Sequence, residues 1–469
     1  MLHTILSIFS VLLNVYFVSF TDKAGCAPIP LSARAEEQRV RWNIDTDSLD
    51  YAVSALYLDS IEQLGGKIHH TSRWFNGATV EMDEPTAQRV AACRFVREVE
   101  MTRNNQKANP GLLARKQPQI EKNIDYGKAQ QQIDLYNLSP LHAAGFEGQG
   151  ILLTVCDGGF YKADQATFLD TEHLLGHFDL TDDADDFFGK TGAHGIECLS
   201  VIAGKTADFY GSAIQSDYYL MRSEEYETES PKEMDNLVVA LEKADSLGVN
   251  IFSVSLGYYD FDNRDWNMSY ADMTGQITRC SRAATIAARK GMLVCVAAGN
   301  EGNKPWYYID APADADSILA VGAVDTEGVI TNFSSRGPSQ DGRVKPDVCA
   351  VGGGTCLLHP DEAAPFYGNG TSFACPLIAG LAASLWSALP DENAIQIRER
   401  IIRSANRYTT PNDEYGYGVP NAWTAYTGTD GLSSIYGTQK TTKILINNEL
   451  RIIVGNRVYD IFGRMVNER

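Results

Sequence analysis

Nowhere in this 469-residue chain is there a long basic run, a second long apolar stretch or a zinc-type spacing of cysteine and histidine. Each absence removes a class of function. Lys and Arg number 40 against 60 Asp and Glu, a formal net charge of −20 that argues against a nucleic-acid partner and for a soluble protein. After the apolar residues 5–20 nothing is long enough to cross a bilayer, so the mature chain should have no transmembrane span. Nine cysteines do not make a disulfide framework in a chain of this size. Cys156, Cys295 and Cys375 lie in apolar runs and read as small buried hydrophobes, while Cys349 and Cys356 are close enough in sequence to pair. No metal-ligand set and no cofactor is assigned.

What is present reads as one large domain with smaller attachments. Residues 5–20 sit where the apolar region of a secretion signal belongs, and residues 1–25 are assigned to that signal. Ala24-Gly25-Cys26 ends like a lipoprotein processing site, but Lys23 stands where an aliphatic residue is wanted, which argues against a lipid anchor. Residues 36–103 form a block of their own, with an amphipathic helix over 53–64, an alternating strand over 78–82 and a helix over 85–92. Its β, α, β, β, α, β order predicts a small ferredoxin-like α+β module. Residues 104–124, rich in Lys, Gln, Asn and Pro, read as a linker.

From Gly150 strands and helices alternate, with strands expected over 151–156, 217–221, 250–256 and 292–298 and helices over 231–247 and 276–290. Ser230 and Glu233 form a capping box, and Gly248 ends that first helix. This predicts an α/β domain over 125–427, a mostly parallel sheet with helices on both faces and function gathered at the carboxyl ends of the strands. Residues 428–469 read as a linker and a short β tail, with strands over 443–446, 450–454 and 457–461.

Four pieces of this domain could carry chemistry. Asp157-Gly158-Gly159 places a carboxylate at a strand end, and Ala193-His194-Gly195 places a proton acceptor at a helix start. Asn300, in Ala297-Ala298-Gly299-Asn300-Glu301-Gly302, places an amide donor at another strand end. Ser372 ends the turn Asn369-Gly370-Thr371-Ser372 before the apolar residues 377–389, at the positive end of a buried helix. Pro376 is expected within that helix's first turn, where its missing N–H costs nothing. Ser253-Val254-Ser255-Leu256-Gly257 ends a strand in small residues that leave the backbone free to pair with an extended peptide. Alone, each piece is ordinary cap or turn chemistry.

Together, in the order Asp, His, Ser, they resemble the subtilisin-like serine peptidases. The resemblance also rests on Phe333-Ser334-Ser335-Arg336-Gly337-Pro338, Lys345-Pro346-Asp347-Val348 and Tyr415-Gly416-Tyr417-Gly418. The nucleophile lacks the Gly-x-Ser-x-Gly of α/β-hydrolases. The resemblance implies Asp157, His194 and Ser372 as the triad and Asn300 as the oxyanion donor. Ser255, Leu256, Gly257, Ala297, Ala298 and Gly299 would line the substrate groove. It implies a secreted or cell-surface zymogen, outer-membrane association included, whose substrates are proteins or peptides and whose inhibitor is its own N-terminal module. Two positions depart from the pattern: Gly195-Ile196-Glu197 after the histidine and Cys375 after the serine. Subtilases often bind calcium, but the acidic residues 182–186 lack EF-hand spacing and read as a solvated loop. Val458-Tyr459-Asp460-Ile461-Phe462-Gly463-Arg464-Met465-Val466 resembles the sorting tail of type IX secretion cargo. The alternative, an inactive peptide-binding or adhesin protein on the same scaffold, requires a lost catalytic residue, and none is lost.

Overall fold

The computed structural model describes residues 13–104, 124–181, 186–189, 192–225 and 228–428, and the backbone of three strands further on. It divides into two units, Met1–Tyr426 and Thr427–Arg469.

The first unit opens with β1 (Asn14–Phe20), α1 (Ala33–Trp42), α2 (Ala55–Gln63), β2 (Lys67–Ser72), β3 (Gly77–Met82), α3 (Glu84–Ala91) and β4 (Val96–Arg103). The four strands form an antiparallel sheet in the order β2-β3-β1-β4, the ferredoxin-like arrangement. Its first strand is therefore part of the stretch read as a secretion signal, and the module begins near residue 14 rather than 36. The apolar run has a tertiary cause. Tyr16, Val18 and Phe20 enter the module's own core, while Phe17 turns to the other face and stacks under the Arg279 guanidinium, 4.5 Å from its ring centroid. Lys23 is explained as well: its ammonium donates to the carbonyls of Ser48, Tyr51 and Arg73 at 2.6, 2.7 and 2.6 Å and organises the loop that follows β1.

Seven parallel strands make the main sheet: β5 (Leu152–Asp157), β6 (Leu174–Asp179), β7 (Asp217–Arg222), β8 (Ile251–Val254), β9 (Leu293–Ala297), β10 (Leu319–Val324) and β11 (Val348–Val351). Their order is β11-β10-β9-β8-β5-β7-β6. The chain order reverses around β5, so the crevice at its carboxyl end is the natural place for a ligand. Helices α4 (His194–Ala203), α5 (Pro231–Leu247), α6 (Arg279–Arg289) and α7 (Thr371–Ala388) cover the two faces. Alternation along β5 divides the core accordingly. Leu153 and Val155 pack with α4 and α7, whereas Leu152 and Cys156 pack with α5 and α6. Local signals set α5 well: Glu233 accepts from the Ser230 N–H at 2.8 Å, and Gly248 closes the helix in the left-handed conformation at φ 74°.

Among the described residues α7 alone is long and apolar enough to cross a membrane, and it is buried inside the fold. It starts at Thr371, so Pro376 stands in its second turn and not its first, with a consequence for the site below. All nine cysteines are free thiols, seven of them buried. Cys349 and Cys356 sit in the core, unpaired with each other. The acidic stretch 182–186 lies outside the described residues except for Asp186. In the second unit β14 (Thr441–Ile446), β15 (Glu449–Val454) and β16 (Arg457–Tyr459) follow a hairpin of the first, β12 (Gly353–Leu357) with β13 (Phe366–Asn369). The three form an antiparallel meander, and residues 460–469 of the sorting-like segment lie outside the described residues.

The module docks on α5 and α6 through a buried ionic cluster. Arg39 pairs with Asp50 at 2.7 Å and with Asp245 at 2.9 Å, Arg73 with Asp245 at 2.7 Å, and Lys290 with Asp50 at 2.9 Å. Glu242 accepts from Ser72 Oγ, the Arg73 N–H and the Trp74 N–H at 2.6, 3.0 and 3.0 Å.

Candidate active site

Asp157, the last residue of β5, is fully buried at the centre of the sheet's carboxyl edge. The first turn of α4 comes so close to it that a Cβ at Gly195 would lie 2.5 Å from the Gly159 carbonyl and 2.8 Å from Asp157 Cβ. Only glycine admits that approach. It brings His194, the first residue of α4, onto the carboxylate, with Nδ1 2.8 and 3.0 Å from the two oxygens. An ionised carboxylate only accepts, so Nδ1 carries the proton and Nε2 keeps its lone pair for another partner. Burial works against a charged ring, but the adjoining Asp157 carboxylate outweighs it and holds the imidazole well above its ordinary pKa. The unusual sequence after the histidine has a place here. Ile196 is buried in the core, and Glu197 lies in the first turn of α4, where the helix dipole favours a negative charge.

Ser372 is the second residue of α7, and its N–H belongs to the first turn, where no intrahelical acceptor exists. Its carbonyl is unusual too. Four residues on stands Pro376, which has no N–H to give, so the Ser372 carbonyl is orphaned. Ser255 Oγ donates to it at 2.7 Å and the Cys198 thiol at 3.2 Å. The proline thus costs a helical bond that two side chains, one just after β8 and one in α4, restore.

Cys198 also lies 3.9 and 4.0 Å from the two imidazole nitrogens of His194, and the Phe373 ring lies tilted against that imidazole, 5.6 Å between centroids. Between Ser372 Oγ and His194 no direct hydrogen bond forms among the described residues. Cys198 touches both residues, at the His194 ring and at the Ser372 carbonyl, and catalytic hydrogen bonds commonly tighten only when substrate is bound.

Asn300 follows β9. The Thr371 N–H and hydroxyl both point at its Oδ1, at 2.9 and 3.1 Å. A backbone N–H can only donate, so this oxygen is the acceptor and the Asn300 NH₂ is left as a donor beside Ser372. Thr371 Oγ1 accepts in turn from the Gly299 N–H at 3.2 Å, which locks the Asn300 turn to the start of α7.

The expected groove residues divide in two. Beyond the last paired residue of β8, Leu256 is half-buried and Gly257 is exposed. Ala297 and Ala298 are buried, and the backbone around them is occupied: the Ala298 N–H bonds the Val321 carbonyl and the Asp310 N–H bonds the Ala298 carbonyl, at 3.0 and 3.1 Å. Gly299 accepts from the Ser335 N–H at 3.0 Å. Sequence reasoning missed Thr371 and Cys198. Thr371 adjoins the serine motif, and the proline four residues after Ser372 was the signal for a group such as Cys198.

The sequence profile of the subtilase family matches residues 148–418, more than half the chain. The chain belongs to the subtilase family. A second profile, the peptidase S8 propeptide domain of Bacteroidota, matches residues 15–120, in keeping with a module that starts at β1. This subtilase is 25% identical to the serine protease AprX of Bacillus subtilis over 59% of its length and 66% of that protein's. It is 25% identical to subtilisin E of the same organism over 79% of its length and 86% of that protein's. Against the subtilisin-like protease SBT6.1 of Arabidopsis thaliana identity is 24%, and only 26% of that longer protein is covered. The chain thus spans about two thirds of AprX and a quarter of SBT6.1. The fold resembles the crystal structure of MycP1 from Mycobacterium smegmatis, with a TM-score of 0.52 at 22% identity over 68% of this chain and 89% of that one.

Proposed function

We propose that this subtilase is a serine endopeptidase made as a zymogen, with Asp157, His194 and Ser372 as its triad. His194, oriented by Asp157, takes the Ser372 hydroxyl proton at Nε2 as Oγ attacks a peptide carbonyl. The tetrahedral oxyanion receives the Asn300 amide and the Ser372 N–H. The imidazolium then gives its proton to the leaving amine, and water repeats the sequence on the acyl-enzyme. Leu256 and Gly257 offer free backbone to an extended substrate. The observation that carries the reading is the Asp157–His194 pair beside the start of α7, where Thr371 holds Asn300 Oδ1 and leaves its NH₂ as a donor.

The N-terminal module, 14–103, is the inhibitor in this reading, and residues 105–123 are where it is cut from the peptidase unit. Its last strand ends with Arg103, 3.8 Å from Glu225 on the loop that leads into α5. Destination outside the cell or on its surface, through a type IX route, is supported by residues 458–466; deletion of residues 428–469 should then retain the protein inside the cell. Labelling of processed protein at Ser372 by a fluorophosphonate, together with cleavage of a general protein substrate, tests the enzyme reading. Failure of both would refute it in favour of an inactive peptide-binding protein. Faster turnover of esters with no peptide cleavage would favour an esterase.

A further inference from the structure

One buried carboxyl beside the site keeps an oxygen without a partner. Asp310 is 5% exposed, and its Oδ1 is buried with no hydrogen-bond partner. Such a group is costly to keep and calls for a cause. Its position supplies one. A Cβ at Gly299 would lie 2.1 Å from Asp310 Oδ2, and a Cβ at Gly257 would lie 2.9 Å from Asp310 Cβ and 3.0 Å from Oδ2. The carboxyl therefore lies against both glycines, one on the free strand end after β8 and the other immediately before Asn300. Gly299 is held at φ 106°, so two independent features keep that position side-chain-free.

Geometry says what would reach it. In the peptidase reading the oxyanion donors, Asn300 and the Ser372 N–H, fix the carbonyl under attack, and the residue that owns it would lie across the segments of Gly257 and Gly299. Its side chain would then be directed at the Asp310 carboxyl, which touches both segments. Burial and the nearby Glu301 carboxylate both push the Asp310 carboxyl up, with the Trp306 indole N–H and the Lys304 ammonium opposing them. Lys304 is itself drawn to Glu301 at 2.8 Å. An incoming guanidinium or ammonium would supply the missing partner and stabilise the ionised form.

We propose that Asp310 is the specificity-determining residue of this subtilase, the floor of a pocket that takes an arginine or lysine side chain on the acyl side of the bond to be cut. The inference rests on the peptidase reading above. The chain itself offers a suitable substrate: residues 105–123, where the module is to be cut away, contain Lys107, Arg115, Lys116 and Lys122 against a single acid, Glu121.

The test expresses the full chain, lets it process, and compares peptides that differ only in Arg, Lys, Gln, Leu or Glu at that position. The expected ratio of kcat/KM for Arg over Leu is at least about 10²-fold, the effect of pairing one buried charge. In Asp310→Asn, an isosteric change, this ratio should collapse toward unity, while fluorophosphonate labelling of Ser372 reports that the site has folded. Mass spectrometry of the mature N-terminus should place the cut after Lys or Arg. As a readout free of turnover, binding of the Arg peptide to the Ser372→Ala protein, cut at an engineered site in 105–123, should exceed that of the Leu peptide, and Asp310→Asn should erase the difference. A labelled, active enzyme without basic preference, or one whose preference survives Asp310→Asn, overturns the assignment of Asp310 alone. No labelling and no cleavage overturns the peptidase reading and this inference with it.

Discussion

Two groups of buried polar side chains in this molecule are treated in opposite ways. Where the N-terminal module meets α5 and α6, Asp50, Glu242 and Asp245 are surrounded by Arg39, Arg73, Lys290 and the N–H groups of the Ser72–Trp74 turn. At the carboxyl edge of the main sheet, polar groups are left incomplete. The Asn300 amide keeps its NH₂, the Ser372 N–H has no helical acceptor, His194 keeps Nε2 and Asp310 keeps Oδ1. A buried charge enclosed by opposite charges is cement between surfaces, and removing one partner is expensive because the other is stranded. Donors and acceptors left open around a reactive centre are where a ligand can supply the partner.

Substitutions on the two sides should therefore fail differently. The largest effect belongs to Ser372→Ala, which should lower kcat by roughly 10⁶, the size known for loss of the nucleophile in subtilisin. The intact Ser372→Ala chain should unfold at the same denaturant concentration as the parent, measured before any processing. Placed in that background, Asp245→Asn should cost about 3–5 kcal/mol in chemical unfolding, because Arg39 and Arg73 then lose a common partner. An unchanged midpoint would mean that the cluster is not what holds the module. Asn300→Ala should reverse the pattern, lowering kcat by roughly 10²–10³, the range known for the side-chain oxyanion donor of subtilisin, with KM and stability little changed. A loss of stability without a loss of rate would put Asn300 on the structural side.

The smallest effect is a displacement along the pH axis. His194 must be neutral to accept a proton, and its pKa is raised in the folded protein, so activity should be present at alkaline pH and be lost as pH falls through a value above 6.5. Asp157→Asn removes the charge that raises it. Its residual activity, lower by about 10⁴ as known for the equivalent change in a triad enzyme, should persist to lower pH than the parent's. A limb that does not move would show that Asp157 orients the ring without tuning it.

Much of this was legible along the chain because it is local. The Ser230–Glu233 start and Gly248 stop of α5 depend on neighbours within one helical turn, and the strand ends at Asp157 and Asn300 carry their own glycines. β1 was not legible in the same way. A strand covered on one face by its own core and on the other by Arg279 has the same continuous apolar run as a signal segment, and its pairing partners on β3 and β4 lie some 60 to 90 residues away. Pro376 was misplaced by one turn because the helix start depends on where the β13 hairpin delivers the chain.

By itself, the sequence determined which chemistry-bearing residues stand at strand ends and helix starts, and in what order. That information is carried by short-range propensity and by the alternation of apolar residues. Tertiary structure alone decided that Thr371 holds Asn300 Oδ1 and so frees its NH₂, that Cys198 and Ser255 take up the carbonyl Pro376 leaves orphaned, and that Asp310 lies against Gly257 and Gly299 with a free oxygen. Each of these is a contact between segments tens to hundreds of residues apart, and no local pattern encodes which distant group will arrive.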